Sequence, residues 1–350
     1  RHGEEEARRP SGLALEIMLV FALAAGVVAA AAGTVSTVTS PHAVLITGGN
    51  KGQGYALCER VLAEQPDAYV FLGARDAARG AQAAERLSAQ APGRVEHVQL
   101  DVTSDDSVSS AAAHVAARLA PKCKLHGLVS NAGVLWGHSL ASSVAVNALG
   151  VQRVMSAFVP LLRPQGGRAI VVSSGMGPLM VGYASEERRS RLLSPALDWA
   201  EIHAMIDECV AVEAAGGDHT DFEKIGFSGG PFGEQSVDFH MYGLAKMFGD
   251  AYMLTLARAY PNLRVNSVDP GLVYTDLVKA IPRYDGMTRE ETGAASPAEG
   301  VEAAMRLLFG EEGAWGSFEG SGRFYAMSKD RMELLSSTID RRPGVGPPKQ

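Results

Sequence analysis

The chain has 350 residues, 46% of them hydrophobic and 20% charged, a balance that suits a folded globular protein and excludes a disordered one. Its formal net charge of -7 leaves no excess of Lys and Arg to neutralise a phosphate backbone, which argues against nucleic acid as a partner. Cys58, Cys123 and Cys209 are widely spaced and odd in number, so they read as reduced, mostly buried thiols and point to neither a disulfide framework nor a metal site.

The first segment, 1–41, carries an uncharged apolar run from Ile17 to Gly33, preceded by Arg8 and Arg9 and followed by a Thr- and Ser-rich stretch up to Pro41. Leu13 to Val38 is long enough to span a bilayer as a retained anchor. The same basic flank, apolar middle and small residues near Ala29 to Gly33 also fit a cleaved secretory or organelle-targeting segment. A buried helix of a soluble domain is the third reading. Either of the first two leaves a soluble catalytic domain, on or behind a membrane.

After Pro41, short uncharged runs at His42–Thr47, Tyr69–Ala74, Val95–Leu100, Leu125–Val129 and Ala169–Val172 have the composition of buried strands. Helical spacing fills the stretches between them: Gly54–Gln65, Asp76–Gln90, Ser104–Leu119 and Leu140–Leu162. Ser104 with Asp105 and Asp106 reads as an N-cap followed by two carboxylates in a favourable helix dipole. Parallel neighbours need a crossover, usually a helix, so this alternation predicts an α/β, doubly wound, Rossmann-type parallel sheet with helices on both faces. One domain over 42–335 and a tail over 336–350 account for the rest.

Directly after the first strand come Thr47, Gly48, Gly49, Asn50, Lys51, Gly52, Gln53 and Gly54, opening an apolar helix. Glycines there let the backbone turn and approach a pyrophosphate, with the helix N-terminus facing the anion. The second strand ends in Ala74-Arg75, where an NAD site usually places an acid on the ribose 2′-hydroxyl. Arg75 suits a 2′-phosphate instead, with Lys51 as a second cation, so NADP(H) is the expected cofactor. Asp101 and Val102 follow the third strand and Asn131-Ala132-Gly133 the fourth, at the carboxyl ends where ligands bind in such sheets.

Together with Asn147 and Gly150, Ser174, Tyr242-x-x-x-Lys246, and Pro270-Gly271 with Thr275, these motifs stand in an order that resembles classical short-chain dehydrogenases/reductases over about residues 42–330. Gly48-Gly49-Asn50-Lys51-Gly52, Ala74-Arg75-Asp76 and Ser296-Pro297-Ala298-Glu299-Gly300 look most like NADPH carbonyl reductases and related plant reductases. The chemistry also follows from the residues. Reducing a ketone, aldehyde or quinone needs a proton donor, and Lys246 lies one helical turn beyond Tyr242, where its charge would favour the phenolate. Ser174 is placed to donate to the developing oxyanion. The resemblance gives Asn147 the role of holding a water that links Lys246 to solvent. Tyr325-x-x-x-Lys329 has the same spacing, but it follows every other motif and reads as a last strand, so Tyr242 is the expected acid and Tyr325 a packing residue.

The stretch 175–241 is long for the family and reads as an insertion near the substrate opening, helical over Ser194–Ala215 and a loop over Gly216–Ser236. Carbonyl reductases of the family carry a similar insertion that blocks tetramer formation, which implies a monomer. Met176, Met180, Tyr183 and Trp136 are candidates for lining the opening, although core packing is the simpler role for each. His203, His240 and Asp238 receive no role. Two rival functions are a sugar-nucleotide epimerase or dehydratase of the extended type, for which the C-terminal part is short, and an inactive nucleotide-binding sensor or scaffold, which would lack Ser, Tyr or Lys.

Overall fold

The computed structural model describes residues 37–230, 232–233, 236–310, 321–328 and 331–336. The apolar N-terminal segment as far as residue 36 and the tail after residue 336 lie outside them. Eight strands are ordered β3-β2-β1-β4-β5-β6-β7-β8: β1 (His42–Thr47), β2 (Ala68–Ala74), β3 (Val95–Gln99), β4 (Gly127–Ser130), β5 (Arg168–Val172), β6 (Arg264–Asp269), β7 (Arg323–Ser328) and β8 (Arg331–Ser336). The first seven pair in parallel. β8 returns antiparallel along β7, a correction to the all-parallel expectation. A strand joined to its neighbour by so short a connection can only run antiparallel.

Helices α1 (Gly52–Glu64), α2 (Ala77–Gln90) and α3 (Asp105–Arg118) join the first four strands, and α4 (Leu140–Asn147) and α5 (Leu149–Phe158) connect β4 to β5. The insertion holds α6 (Met176–Tyr183), α7 (Glu186–Leu192), α8 (Trp199–Ala214) and α9 (His219–Lys224), and α10 (Val237–Ala259) leads to β6. Beyond β6 follow α11 (Asp276–Lys279), α12 (Arg289–Thr292), α13 (Pro297–Gly300) and α14 (Glu302–Phe309). Both sheet faces are covered. In β1, Leu45 belongs to one apolar cluster with Phe71 and Leu128, whereas Val44 and Ile46 join another with Val70 and Leu72. All of these side chains are buried, which is why the strand reads as an unbroken apolar run.

Ser104 caps α3 by accepting from the Ser107 N–H, with Asp105 and Asp106 in the first turn, as the sequence predicts. Two expectations need correction. The helical run from Leu140 is broken at Ala148, whose φ of -125° and ψ of -64° are not helical, so Asn147 ends one helix rather than sitting inside a longer one. The segment after Gly216 is not all loop, because Asp218 and Asp221 form a capping box that starts α9 and Phe222 inserts into the core.

Candidate active site

The strand order reverses between β1 and β4, and ligands of open α/β sheets bind at such a point, beyond the carboxyl ends of the strands. A cleft of ≈ 670 Å³ lies there, running from the glycine loop to Tyr242 and Lys246. At its nucleotide end, the buried Thr47 Oγ1 accepts from the backbone N–H groups of Asn131 (2.9 Å) and Ala132 (3.0 Å). Asn131 Nδ2 donates to Thr47 O at 2.9 Å. These bonds join the glycine loop to the Asn-Ala-Gly turn. Gly48 has φ +67°, and a Cβ on Gly54 would stand 2.3 Å from Gly48 O and 2.5 Å from Asn131 Nδ2. No other residue fits at Gly54 without moving the backbone.

Lys51 precedes α1 without a side-chain cap, so the first N–H groups of that helix face the cleft uncapped. The Lys51 ammonium itself pairs with Asp276 at 2.8 Å, across the cleft mouth. Asp76, next to Arg75 in the chain, caps α2 and pairs with Arg79. Arg75 is exposed on the cleft wall, where its charge helps hold the Asp101 carboxyl below its ordinary pKa. Val102 lines the same wall. Asp101 stands behind it, one carboxylate oxygen accepting from both the N–H and the hydroxyl of Thr103. Gly52, Asn50, Gly133, Pro270, Gly271 and Thr275 also border the cleft.

At the other end, β5 delivers Ser174 and α10 delivers Tyr242 and Lys246 one turn apart. The Ser174 hydroxyl lies near enough to the Tyr242 phenol to favour its ionised form. Lys246 Nζ donates to Val172 O at 2.8 Å and lies 5.7 Å from the centroid of the Tyr242 ring. Asn147 closes the group from behind: its Nδ2 donates to Val134 O (2.8 Å) and its Oδ1 accepts from the Val134 N–H (3.2 Å). A Cβ on Gly133 would lie 3.1 Å from Asn147 Oδ1 and 3.6 Å from Lys246 Nζ, so the three residues converge.

Electrostatically, the ligand-free site differs from the expectation drawn from spacing. Burial pushes the Tyr242 phenol well above its ordinary pKa, and Asp269 and Asp250 push it further, while the Ser174 hydroxyl opposes them. Burial pushes the Lys246 ammonium down, against Asp250 and Asp269, which hold its proton. A phenol and an ammonium removed from water both favour their neutral forms, so Tyr242 rests as a protonated acid.

The family model for short chain dehydrogenase matches residues 42–186. The chain is 27% identical over 338 residues to (+)-neomenthol dehydrogenase of Capsicum annuum, covering 80% of this chain and 96% of that one. It is 27% identical over 289 residues to NADPH carbonyl reductase 1 of Rattus norvegicus, covering 78% and 94%. The solved structure of salutaridine reductase from Papaver somniferum superposes with a TM-score of 0.63 at 25% identity, covering 81% of this chain and 99% of that one. Along most of its length the chain is similar to short-chain dehydrogenases/reductases, oxidoreductases acting on alcohol or carbonyl groups.

Several residues of the site escape a reading of sequence. Asp238, given no role, accepts the Gly137 N–H at 2.7 Å and so ties the loop after Asn-Ala-Gly to the start of α10. Leu135, Tyr242 and Ile281 form an apolar patch against which Trp136, Met176, Phe239, Leu277 and Tyr284 pack. Met180 is core and Tyr183 packs under the insertion loop at Gly230, so of the four lining candidates only Trp136 and Met176 stand beside Tyr242. His240 is buried against Phe227 O and His203 pairs with Asp207 on the surface. Tyr325 is buried in β7 beside Val268 of β6, away from the cleft; Lys329 lies outside the described residues.

Proposed function

We propose that this chain is an NADPH-dependent reductase that converts a ketone, aldehyde or quinone to an alcohol, with Tyr242 as the acid. The observation that carries this reading is the single cleft that has the glycine loop and Arg75 at one end and Ser174, Tyr242 and Lys246 at the other. The cradle at Gly48 and Gly54, the uncapped start of α1 and the exposed guanidinium of Arg75 on the cleft wall suit a dinucleotide bearing a 2′-phosphate. Buried Ala74 leaves no acid at the position that would meet a 2′-hydroxyl. The NADPH named for the rat relative agrees with this. Lys51 joins Arg75 on the phosphate by leaving Asp276.

NADPH bound there supplies the hydride. Tyr242 gives its proton to the substrate oxygen as negative charge develops on it, and Ser174 donates a second hydrogen bond to the same atom. Lys246 strengthens Tyr242 as an acid whenever it carries its ammonium charge. Asn147 holds the turn that borders Lys246 through its two hydrogen bonds to Val134. The apolar wall of Leu135, Trp136 and Leu277, backed by Ile281, admits a carbonyl compound with a bulky apolar body and excludes water around the reacting atoms.

We further propose a monomer. It is supported by the way α8 covers α10, through the Trp199–Tyr252 ring contact at 5.1 Å and the Arg258 guanidinium on Leu197 O at 3.0 Å. The apolar segment before residue 37 would carry the enzyme to a membrane without taking part in catalysis. The deciding experiment measures NADPH oxidation against a panel of carbonyls with wild type, Tyr242→Phe and Tyr325→Phe. Turnover lost in Tyr242→Phe with NADPH binding retained, and kept in Tyr325→Phe, is the expected result. The reverse pattern refutes the assignment of the acid.

A further inference from the structure

One buried acid has no place in the mechanism above. Asp250 is fully buried on α10, one turn beyond Lys246 and two beyond Tyr242, so the three side chains form a stripe on one helix face. Its Oδ2 accepts from the Ser173 hydroxyl at 2.8 Å and its Oδ1 from the Ser267 hydroxyl at 2.7 Å. Ser173 lies beside Ser174 at the end of β5, and Ser267 lies within β6. Gly177 of α6 closes the remaining side, where a Cβ would stand 2.4 Å from Asp250 Oδ2. A carboxylate held by two hydroxyls and sealed from water is built to stay in place.

Lys246 has the complementary problem. It is 6% exposed, and its ammonium donates to an uncharged carbonyl, that of Val172. An ammonium buried with only neutral partners loses its proton readily, and a neutral Lys246 gives Tyr242 no electrostatic help. We propose that Asp250 is a positioning residue that acts through Lys246, its clamped carboxylate supplying the buried negative charge that keeps Lys246 an ammonium. This rests on the reading of Tyr242 as the acid and Lys246 as its electrostatic partner.

The charged groups around the pair are consistent with that role. Asp250 and Asp269 of β6 both hold the proton on Lys246, with Asp250 the stronger. The same two acids oppose ionisation of Tyr242, with Asp269 the stronger there. The order reflects distance along α10, since Asp250 is one turn from Lys246 but two from Tyr242. Removing the Asp250 charge therefore weakens Lys246 more than it relieves Tyr242. Burial raises the pKa of the Asp250 carboxyl to about 7, the Ser267 and Ser173 hydroxyls and the Lys246 charge holding back a larger rise. Asp250 therefore carries its charge above about pH 7, the range in which Lys246, lowered to about 8, gives up its proton.

The test is competitive labelling of the ligand-free full chain with a trace of acetic anhydride from about pH 6 to 10, acetylation of Lys246 being read by mass spectrometry. Only the neutral amine reacts, and Lys246 borders the cleft, so the midpoint reports its proton loss without any turnover. Asp250→Asn keeps the shape and lowers the midpoint by about one pH unit. Ser267→Ala strips one donor from the carboxylate and lowers it by less, which keeps the proposal testable where Asp250→Asn does not fold. The alkaline limb of the reduction profile moves with the midpoint in both variants. Unchanged midpoints overturn the proposal, and so does an Asp250→Asn that loses turnover equally at every pH, since that is bracing alone. A midpoint that moves in an enzyme that reduces no carbonyl sustains the electrostatic link and refutes the functional reading.

Discussion

Replacing Thr47 with Val tests whether the junction between the glycine loop and the Asn-Ala-Gly turn is built as described. The change keeps nearly the same shape but removes the one oxygen that accepts the N–H groups of both Asn131 and Ala132. Thr47 is fully buried, so water cannot take the place of the lost acceptor. A buried N–H left unpaired costs roughly 1–3 kcal/mol, and two together about 3 kcal/mol after some relaxation. For a domain of this size that lowers Tm by about 6 °C, taking about 2 °C per kcal/mol. The two strand ends should also separate slightly, weakening NADPH binding. Differential scanning fluorimetry with and without NADPH reads both effects, and Thr47→Ser, which keeps the oxygen, should stay near wild type. A Thr47→Val protein within about 2 °C of wild type and with unchanged NADPH affinity would refute the reasoning.

Arg75→Ala should raise KM for NADPH roughly tenfold while leaving KM for NADH nearly unchanged, and equal effects on both would remove the case for a 2′-phosphate. His126, behind β4 and far from the cleft, donates to Leu308 O at 2.6 Å and is pushed down to about 3 by burial. The unfolded chain takes up that proton near its ordinary value of 6.5, so this stability is complete above about pH 6.5 and lost as pH falls toward 3. The Tm advantage of wild type over His126→Gln should therefore shrink on acidification, and a constant difference would contradict the assignment. Light scattering of the purified enzyme should give the mass of one chain at every concentration; a stable tetramer would contradict the covering role of α8. The full chain should sediment with membranes and resist carbonate extraction, or appear shortened near Ala32, and an uncleaved, freely soluble chain would disprove the membrane reading.

The strands, the order of motifs and the placing of Tyr242 and Lys246 one turn apart on one helix are legible in the sequence because each rests on neighbours a few residues apart. Burial on both faces makes β1 continuously apolar, a glycine turn must follow it directly, and the cap of α3 is formed by residues three positions apart. Reading Tyr242 with Lys246 needs only helical spacing, and the apolar run behind them marks the helix. What the sequence does not contain is the partner of each polar side chain. Asp238 meets Gly137 across 101 residues, Ser173 meets Asp250 across 77, and Lys51 meets Asp276 across 225, pairings set by the order of strands in the sheet. The break at Ala148 likewise interrupts a run whose spacing is helical throughout. The resting charges of the site belong to the same class, because spacing alone suggests that Lys246 lowers the pKa of Tyr242, and only the packed domain removes enough water to push both groups toward neutrality.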